Sequence, residues 1–265
     1  MERATAIRRI LVTGSTGQLG HSLQDTAKDY PHMEFVFANS QTLDITNSEK
    51  VLKTIGMGNF DYCINCAAYT QVDEAEKNPE TAFKVNAEGV KILASACKQY
   101  NVALIHISTD YVFDGEKGSP YTVNDHPNPI NVYGKSKWKG EKYIQEILDK
   151  YFIVRTSWLY HKIHGHNFYK TILKKVKKGE ELRIIDSQVG CPTNAVNLAK
   201  YILEHIVNKN QQYGIYHFTD GQAMSWFGFA KNVLEENGLK NTTNIVKDNN
   251  YRSFAMRPKF SVLKI

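Results

Sequence analysis

The chain has 265 residues, 42% of them hydrophobic and 23% charged, with a formal net charge of +6. This is ordinary globular composition, long enough for one large α/β domain or a main domain with a small lobe, and it excludes a disordered chain. The mild positive balance suits an anionic small molecule or simple solubility; with no Lys/Arg-dense tail, no nucleic-acid motif and no bilayer-length apolar stretch, nucleic-acid and membrane roles are not expected.

Met1 to Ala6 carry no apolar run ahead of the first strand, so a cytoplasmic protein is expected. Ile7 to Thr13 reads as a short buried parallel strand. Gly14-Ser15-Thr16-Gly17-Gln18-Leu19-Gly20 follows and opens a helical pattern through Leu23 and Ala27. Strand, glycine-rich turn and helix together form a setting for a pyrophosphate. Glycines let backbone N–H groups come close, and the helix N-terminus adds partial positive charge. The spacing is G-x-x-G-x-x-G rather than G-x-G-x-x-G. Glu34 to Ala38 reads as the second strand. Asn39-Ser40-Gln41 at its end offers no acid for a ribose hydroxyl and no base for a 2′-phosphate, which leaves NADH and NADPH both open. Asp44-Ile45 then lies along the adenine, or Asp44 caps the helix from Ser48 to Ile55.

Tyr62 to Cys66 reads as the third strand, running into the small residues Ala67 and Ala68, which leave room for a ligand over the sheet edge. Cys63 and Cys66 have redox-motif spacing but sit in an apolar run, where buried free thiols are expected. Pro79 and the periodic run from Ala82 to Cys97 form a long helix, and Val102 to Ser108 a fourth strand ending at Thr109-Asp110-Tyr111. A turn-rich loop leads to a helix over Asn131 to Leu148, on which Tyr133 and Lys137, four apart, share one face. On an exposed helix such a pair is often just solvated. Beside a strand-end hydroxyl and a dinucleotide turn, it becomes a phenol acid with an ammonium to tune it.

Phe152 to Thr156 is a further strand. Strands and helical patterns thus alternate from Ile7 to Thr156, which predicts an α/β fold with a doubly wound parallel (Rossmann) sheet. Residues 1–157 are expected to form the dinucleotide-binding domain, with 194–218 returning to it. Residues 158–193 and 219–265 are expected to form a smaller C-terminal substrate-binding lobe. Asn194 is the expected cap of its helix, and Arg257 can either hold a diphosphate or form a surface salt bridge. His161, His164 and His166 crowd one segment without accompanying Cys or carboxylate ligands, so no metal site is expected.

The segments TGSTGQLG (13–20), LDIT (43–46), NCAAYTQVDEAE (65–76), ISTDYVFDG (107–115), YGKSKWKGE (133–141), RTSWLY (155–160), SQVGCPT (187–193) and RPKFS (257–261) run in family order over nearly the whole chain. They resemble the extended short-chain dehydrogenase/reductase superfamily and, within it, the dTDP-4-dehydrorhamnose reductase family. The resemblance implies an NAD(P)H-dependent reductase of a nucleotide-linked 4-keto deoxysugar. Tyr133 would be the proton donor, Lys137 would lower the phenol pKa and bind the nicotinamide ribose, and Thr109 would hold the carbonyl oxygen. Gly14, Thr16, Gly17, Gln18, Leu19, Gly20, Asp44, Ile45, Ala67, Ala68 and Tyr69 would hold the dinucleotide with Tyr133 and Lys137. Val72, Asp110, Trp158 and Arg257 would line the substrate pocket.

Related dehydratases place a Glu after the strand-end Asp. Tyr111 stands there, which favours plain reduction over water elimination. A homodimer is compatible with the family. Ser22, however, occupies the position of a Glu that joins a metal-linked dimer contact in some members, which argues against that bridge. Family chains also run further after RPKFS, which leaves the completeness of the substrate lobe open at this point. The regulatory β subunit of methionine adenosyltransferase shares the scaffold without catalysis, and the intact Thr109, Tyr133 and Lys137 set favours the enzyme reading over it.

Overall fold

The computed structural model describes residues 7–208, 212–240, 242–248 and 252–265. The chain opens with β1 (Arg8–Thr13), α1 (Gln18–Thr26), β2 (Met33–Ala38) and α2 (Ser48–Gly58), then β3 (Tyr62–Asn65), α3 (Val72–Lys77), α4 (Pro79–Phe83) and α5 (Val90–Gln99). β4 (Ala103–Thr109), α6 (Val132–Ile147) and β5 (Tyr151–Thr156) complete the alternating half. Beyond it lie β6 (Leu159–Tyr160), α7 (Phe168–Lys177), β7 (Leu182–Ile184), β8 (Val189–Gly190), β9 (Thr193–Asn194) and α8 (Ala195–Tyr201). β10 (Gly214–His217), β11 (Met224–Ser225), α9 (Trp226–Glu236) and β12 (Ile245–Lys247) follow.

Among the described residues, six strands form one sheet in the order β10-β5-β4-β3-β1-β2, every neighbouring pair parallel. The chain leaves β1 first towards β2 and then towards β3, so the strand order reverses at β1. A crevice opens there at the strands' C-terminal ends, where Thr13 pairs with Asn65. The sheet is buried on both faces because its strands are apolar runs. Leu11, Leu104 and Ile153 pack on one face with Val51, Ile55, Leu93, Cys97 and Ile144 from α2, α5 and α6. Ile10, Val12, Ile64, Ile105 and Val154 pack on the other with Leu23, Leu198, Ile202 and Ile206. A third cluster unites Tyr169 and Ile172 with Leu182, Phe229 and Val233.

The expected single helix from Ala82 to Cys97 is interrupted by a π-helical stretch, Lys84–Gly89, between α4 and α5. Such a stretch is frequent where a side chain must be re-aimed. Here it carries Asn86, whose side chain accepts from Tyr69 N (2.8 Å) and donates to Tyr69 O (2.9 Å) and Ser136 Oγ (3.0 Å). The cap of α2 is Asn47, which accepts from Lys50 N. Asp44 instead accepts from Thr46 N and Oγ1, one turn earlier than the capping alternative required. Asn194 does cap α8, accepting from Val196 N. All four cysteines are free thiols. Among the described residues, no helix is long and apolar enough to cross a membrane.

Candidate active site

The turn after β1 places Gly14 at φ +66°, a conformation that disfavours any side chain. A Cβ on Gly14 would lie 2.5 Å from Ala67 N and 2.7 Å from Cys66 C. The turn is therefore seated directly on the end of β3. At Gly17, the N-cap of α1, no side chain caps the helix, and no acid sits in its first turn. A helix start left uncapped by any side chain, beside a backbone cradle, fits a pyrophosphate. Thr16 and Gly17 are exposed at the mouth of the turn. Leu19 and Ile45 are core side chains, 4% and 3% exposed, so only their backbones are available to a ligand. Gln18 is already engaged: its Oε1 accepts from His161 N (2.9 Å) and Asn167 Nδ2 (2.6 Å), tying α1 to the loop after β6. In that loop His164 stacks on His21 at 4.1 Å, and among the described residues no cluster could hold a metal. Ser22 is buried and donates to Gln18 O.

Across the crevice, β4 ends at Thr109 and α6 begins at Val132, with Asn131 as its cap through Gly134 N. Burial pushes the Tyr133 phenol up to about 12, against the lowering pull of the Thr109 hydroxyl beside it. Burial, Thr109 and Asp110 are what act on the phenol, and the lowering expected of Lys137 is not among them. Lys137 is 1% exposed and turned to the sheet, with Nζ donating to Ile107 O (2.7 Å) and lying 3.1 Å from His106 Nε2. Burial lowers its ammonium from 10.5 to about 8, while Glu141 and Cys66 work the other way. The fold therefore carries a cost present in full below about 8 and relieved as the pH rises towards 10.5. Lys137→Met is expected to stabilise the protein at neutral pH by about 2 kcal/mol after the Ile107 bond is lost, the gain shrinking at alkaline pH. Thermal melts across pH check it. A melting temperature at neutral pH equal to or below that of the parent contradicts it.

Asp110 is sealed from solvent at 2% exposure rather than lining an open pocket. It accepts from Ser157 Oγ (2.9 Å), Ser261 Oγ (2.6 Å) and Thr109 Oγ1 (3.0 Å). Burial raises it to about 6 despite these donors. It thereby fastens the chain end and the exit of β5 to the strand end bearing Thr109. Trp158, at that exit, has φ +45°, a strained conformation for a non-glycine residue of a kind that clusters at functional sites. Its indole stacks on Trp226 at 3.5 Å and 7°, and a Cβ on Gly190 would stand 2.6 Å from it. Arg257 faces Asp73 in a bidentate pair (Nη1–Oδ1 3.1 Å, Nη2–Oδ2 2.7 Å) beside Val72, the first residue of α3, and also hydrogen-bonds Tyr111. Asp73 is held below the usual carboxylate range chiefly by that guanidinium.

The RmlD substrate binding domain family matches residues 8–265. A dTDP-4-dehydrorhamnose reductase of Aggregatibacter actinomycetemcomitans is 38% identical over 267 residues, covering 97% of this chain and 90% of the relative. The chain belongs to the dTDP-4-dehydrorhamnose reductase family. The crystal structure of the Bacillus anthracis reductase in complex with NADP superposes with a TM-score of 0.91 at 38% identity, over 97% of this chain and 90% of that one. The Clostridium acetobutylicum reductase superposes with a TM-score of 0.91 at 40% identity, over the same shares. A UDP-glucose 4-epimerase of Thermus thermophilus, 20% identical with a TM-score of 0.79, shares the fold.

For this family member, the structure brings Thr109 and Tyr133 into contact and sets the glycine turn against Ala67. It holds Ala67 to Tyr69 by their backbones: Ala67 N donates to Asn65 Oδ1, and Tyr69 is held by Asn86. Lys137 Nζ turns instead to Ile107 O and His106 Nε2, away from the phenol. Sequence reasoning missed four supporting residues. His106 and Asn65 lie behind Lys137, Asn86 lies behind Tyr69, and Trp226 lies behind Trp158. A histidine inside the apolar run Ala103–Thr109 was the one visible signal, because a buried polar ring needs a partner.

Proposed function

We propose that the protein reduces the C4 ketone of dTDP-4-dehydro-L-rhamnose to give dTDP-L-rhamnose, with NADPH as reductant. The observation that carries this reading is the contact of Tyr133 with Thr109 at the sheet edge where the glycine turn opens, in a chain 38% identical to a dTDP-4-dehydrorhamnose reductase. The NADP complex of the Bacillus anthracis relative supports the choice of cofactor.

When bound, the nicotinamide supplies a hydride to the carbonyl carbon. Tyr133 donates its proton to the oxygen. A phenol raised to about 12 stays fully protonated at neutral pH and gives up its proton only as alkoxide character develops. Thr109, turning its one hydrogen from Asp110 Oδ1, donates to the same oxygen. The Lys137 ammonium offsets the phenolate left behind. The backbone from Gly14 to Gly20, with Asp44, Ile45 and Ala67 to Tyr69, holds the dinucleotide. Val72, Trp158 and Arg257 meet the sugar nucleotide, and Asp110 keeps their elements together. Tyr111 stands where elimination would need an acid. It is buried, and its phenol is raised above the ordinary range, so it suits packing rather than proton transfer.

Gly190→Ala is expected to displace the Trp158 indole, which cannot retreat because Trp226 backs it. The specificity constant for the sugar nucleotide then falls by about ten- to a hundredfold, mostly through KM, with NADPH affinity unchanged. Steady-state kinetics with each substrate varied in turn decide it. Unchanged KM for the sugar nucleotide contradicts it. The reading itself is tested by following NADPH and NADH oxidation with dTDP-4-dehydro-L-rhamnose. Ketone-dependent oxidation is expected, and its absence with both cofactors in folded protein overturns the reading.

A further inference from the structure

Behind Lys137 runs a buried chain of polar groups, Thr13, Asn65 and His106, exposed by 0%, 1% and 0%. Its hydrogen-bond polarity is fixed at one end by a group that can only donate. Ala67 N–H donates to Asn65 Oδ1 at 3.1 Å, and Thr13 Oγ1 donates to the same oxygen at 2.7 Å. The amide of Asn65 therefore turns its Nδ2 to His106 Nδ1, 3.0 Å away. An amide nitrogen is a donor, so Nδ1 accepts and carries no hydrogen. The neutral ring then bears its hydrogen on Nε2, which points at Lys137 Nζ 3.1 Å away. Burial keeps the imidazole well below its ordinary range, so the ring stays neutral. A donor aimed at Nζ has a partner only if the amine is unprotonated, since an ammonium has no lone pair.

We propose that His106 is a positioning residue that favours the neutral amine of Lys137 before the dinucleotide binds, and that at mildly alkaline pH dinucleotide binding converts this amine to the ammonium by uptake of one proton from solvent. The inference rests on the reading that Lys137 serves a bound dinucleotide. Protonation removes the acceptor from His106, so the new ammonium turns from the sheet towards the site, where a diphosphate, a ribose and a nascent phenolate favour it. The groups around Nζ are consistent with this exchange. Glu141, one turn on along α6, favours the charged form but is bound to Arg155 at 2.7 Å. Cys66, at the end of β3, stays a thiol because burial raises it above its ordinary range. Thr109 and Asn86 do not titrate. Tyr133, four residues before Lys137 on the same helix, is the remaining group that could exchange a proton when the site fills.

Calorimetry of NADP+ binding in two buffers of different ionisation enthalpy measures the proton uptake. It is run on the Tyr133→Phe background to silence the phenol, at a pH of about 9 where the buried lysine is mostly neutral. Uptake approaching about one proton per site is expected, absent in the added Lys137→Met variant and less than half as large in His106→Phe. Asn65→Asp gives a second, independent reversal. A carboxylate accepts from Nδ1–H, so Nε2 becomes an acceptor, the ammonium is favoured before binding, and uptake disappears. This variant also carries the test should His106→Phe fail to fold. No uptake in the parent, or uptake unchanged in Lys137→Met or in both His106→Phe and Asn65→Asp, overturns the proposal. Turnover of the ketone by wild-type protein is read separately. Turnover without proton uptake sinks only this inference, whereas NADP+ binding with uptake but no turnover sinks only the assigned reaction.

Discussion

Tyr133→Phe is expected to lower turnover of the sugar ketone by about 10²- to 10⁴-fold, the range typical for loss of a positioned general acid. The ring itself is retained, including its edge contact with Tyr111 at 6.0 Å, so packing is preserved. The neighbouring hydroxyl cannot take over, because the O–H of Thr109 is a far weaker acid than a phenol. NADPH affinity, measured by fluorescence titration, should stay within about threefold of the parent, since an interaction made only in the transition state affects kcat rather than binding. A phenylalanine variant with parental kcat would remove Tyr133 from the chemistry.

Glu141→Ala is expected to destabilise the fold by about 3–5 kcal/mol, the usual cost of leaving one member of a buried ion pair alone. Glu141 and Arg155 are 1% and 2% exposed and joined at 2.7 Å. Among the described residues, Arg155 Nη1 already has no hydrogen-bond partner, and Ser108 Oγ donates to Glu141 Oε1. Losing the carboxylate strands a guanidinium and a hydroxyl in the core. Because the pair links α6 to β4 and β5, the loss also loosens the helix that carries Tyr133 and Lys137. Urea denaturation measures the change in midpoint. A loss under about 1 kcal/mol would mean that water reaches the stranded arginine.

The parallel sheet was legible because its strands are apolar runs such as Ile10 to Val12 and Cys63 to Ile64, spaced by helical patterns. The glycine turn was legible because its punctuation sits between a strand and a helix. What escaped was set by contacts between residues distant in sequence. The pairing of Arg257 with Asp73 spans 184 residues, and the link between Lys137 and His106 joins a helix to a strand whose histidine signals a buried partner without saying which. The π-helical stretch at Asn86 has no local signature either, since it follows from the demand of Tyr69 for a partner. Asp44 and Asn47 both suit a helix cap, and only the backbone decides for Asn47. A Tyr and a Lys on one helix face need not meet when a buried carbonyl, Ile107 O, competes for the ammonium or amine.

The central claim is hydride delivery to a sugar carbonyl with proton delivery by Tyr133. It is tested most directly with NADPH deuterated at nicotinamide C4 and dTDP-4-dehydro-L-rhamnose, followed by NMR of the product. The account predicts deuterium at C4 of the rhamnosyl ring in the parent and no labelled product from Tyr133→Phe over the same interval. A product without deuterium at C4, or labelled product formed at the parental rate by the phenylalanine variant, would contradict it.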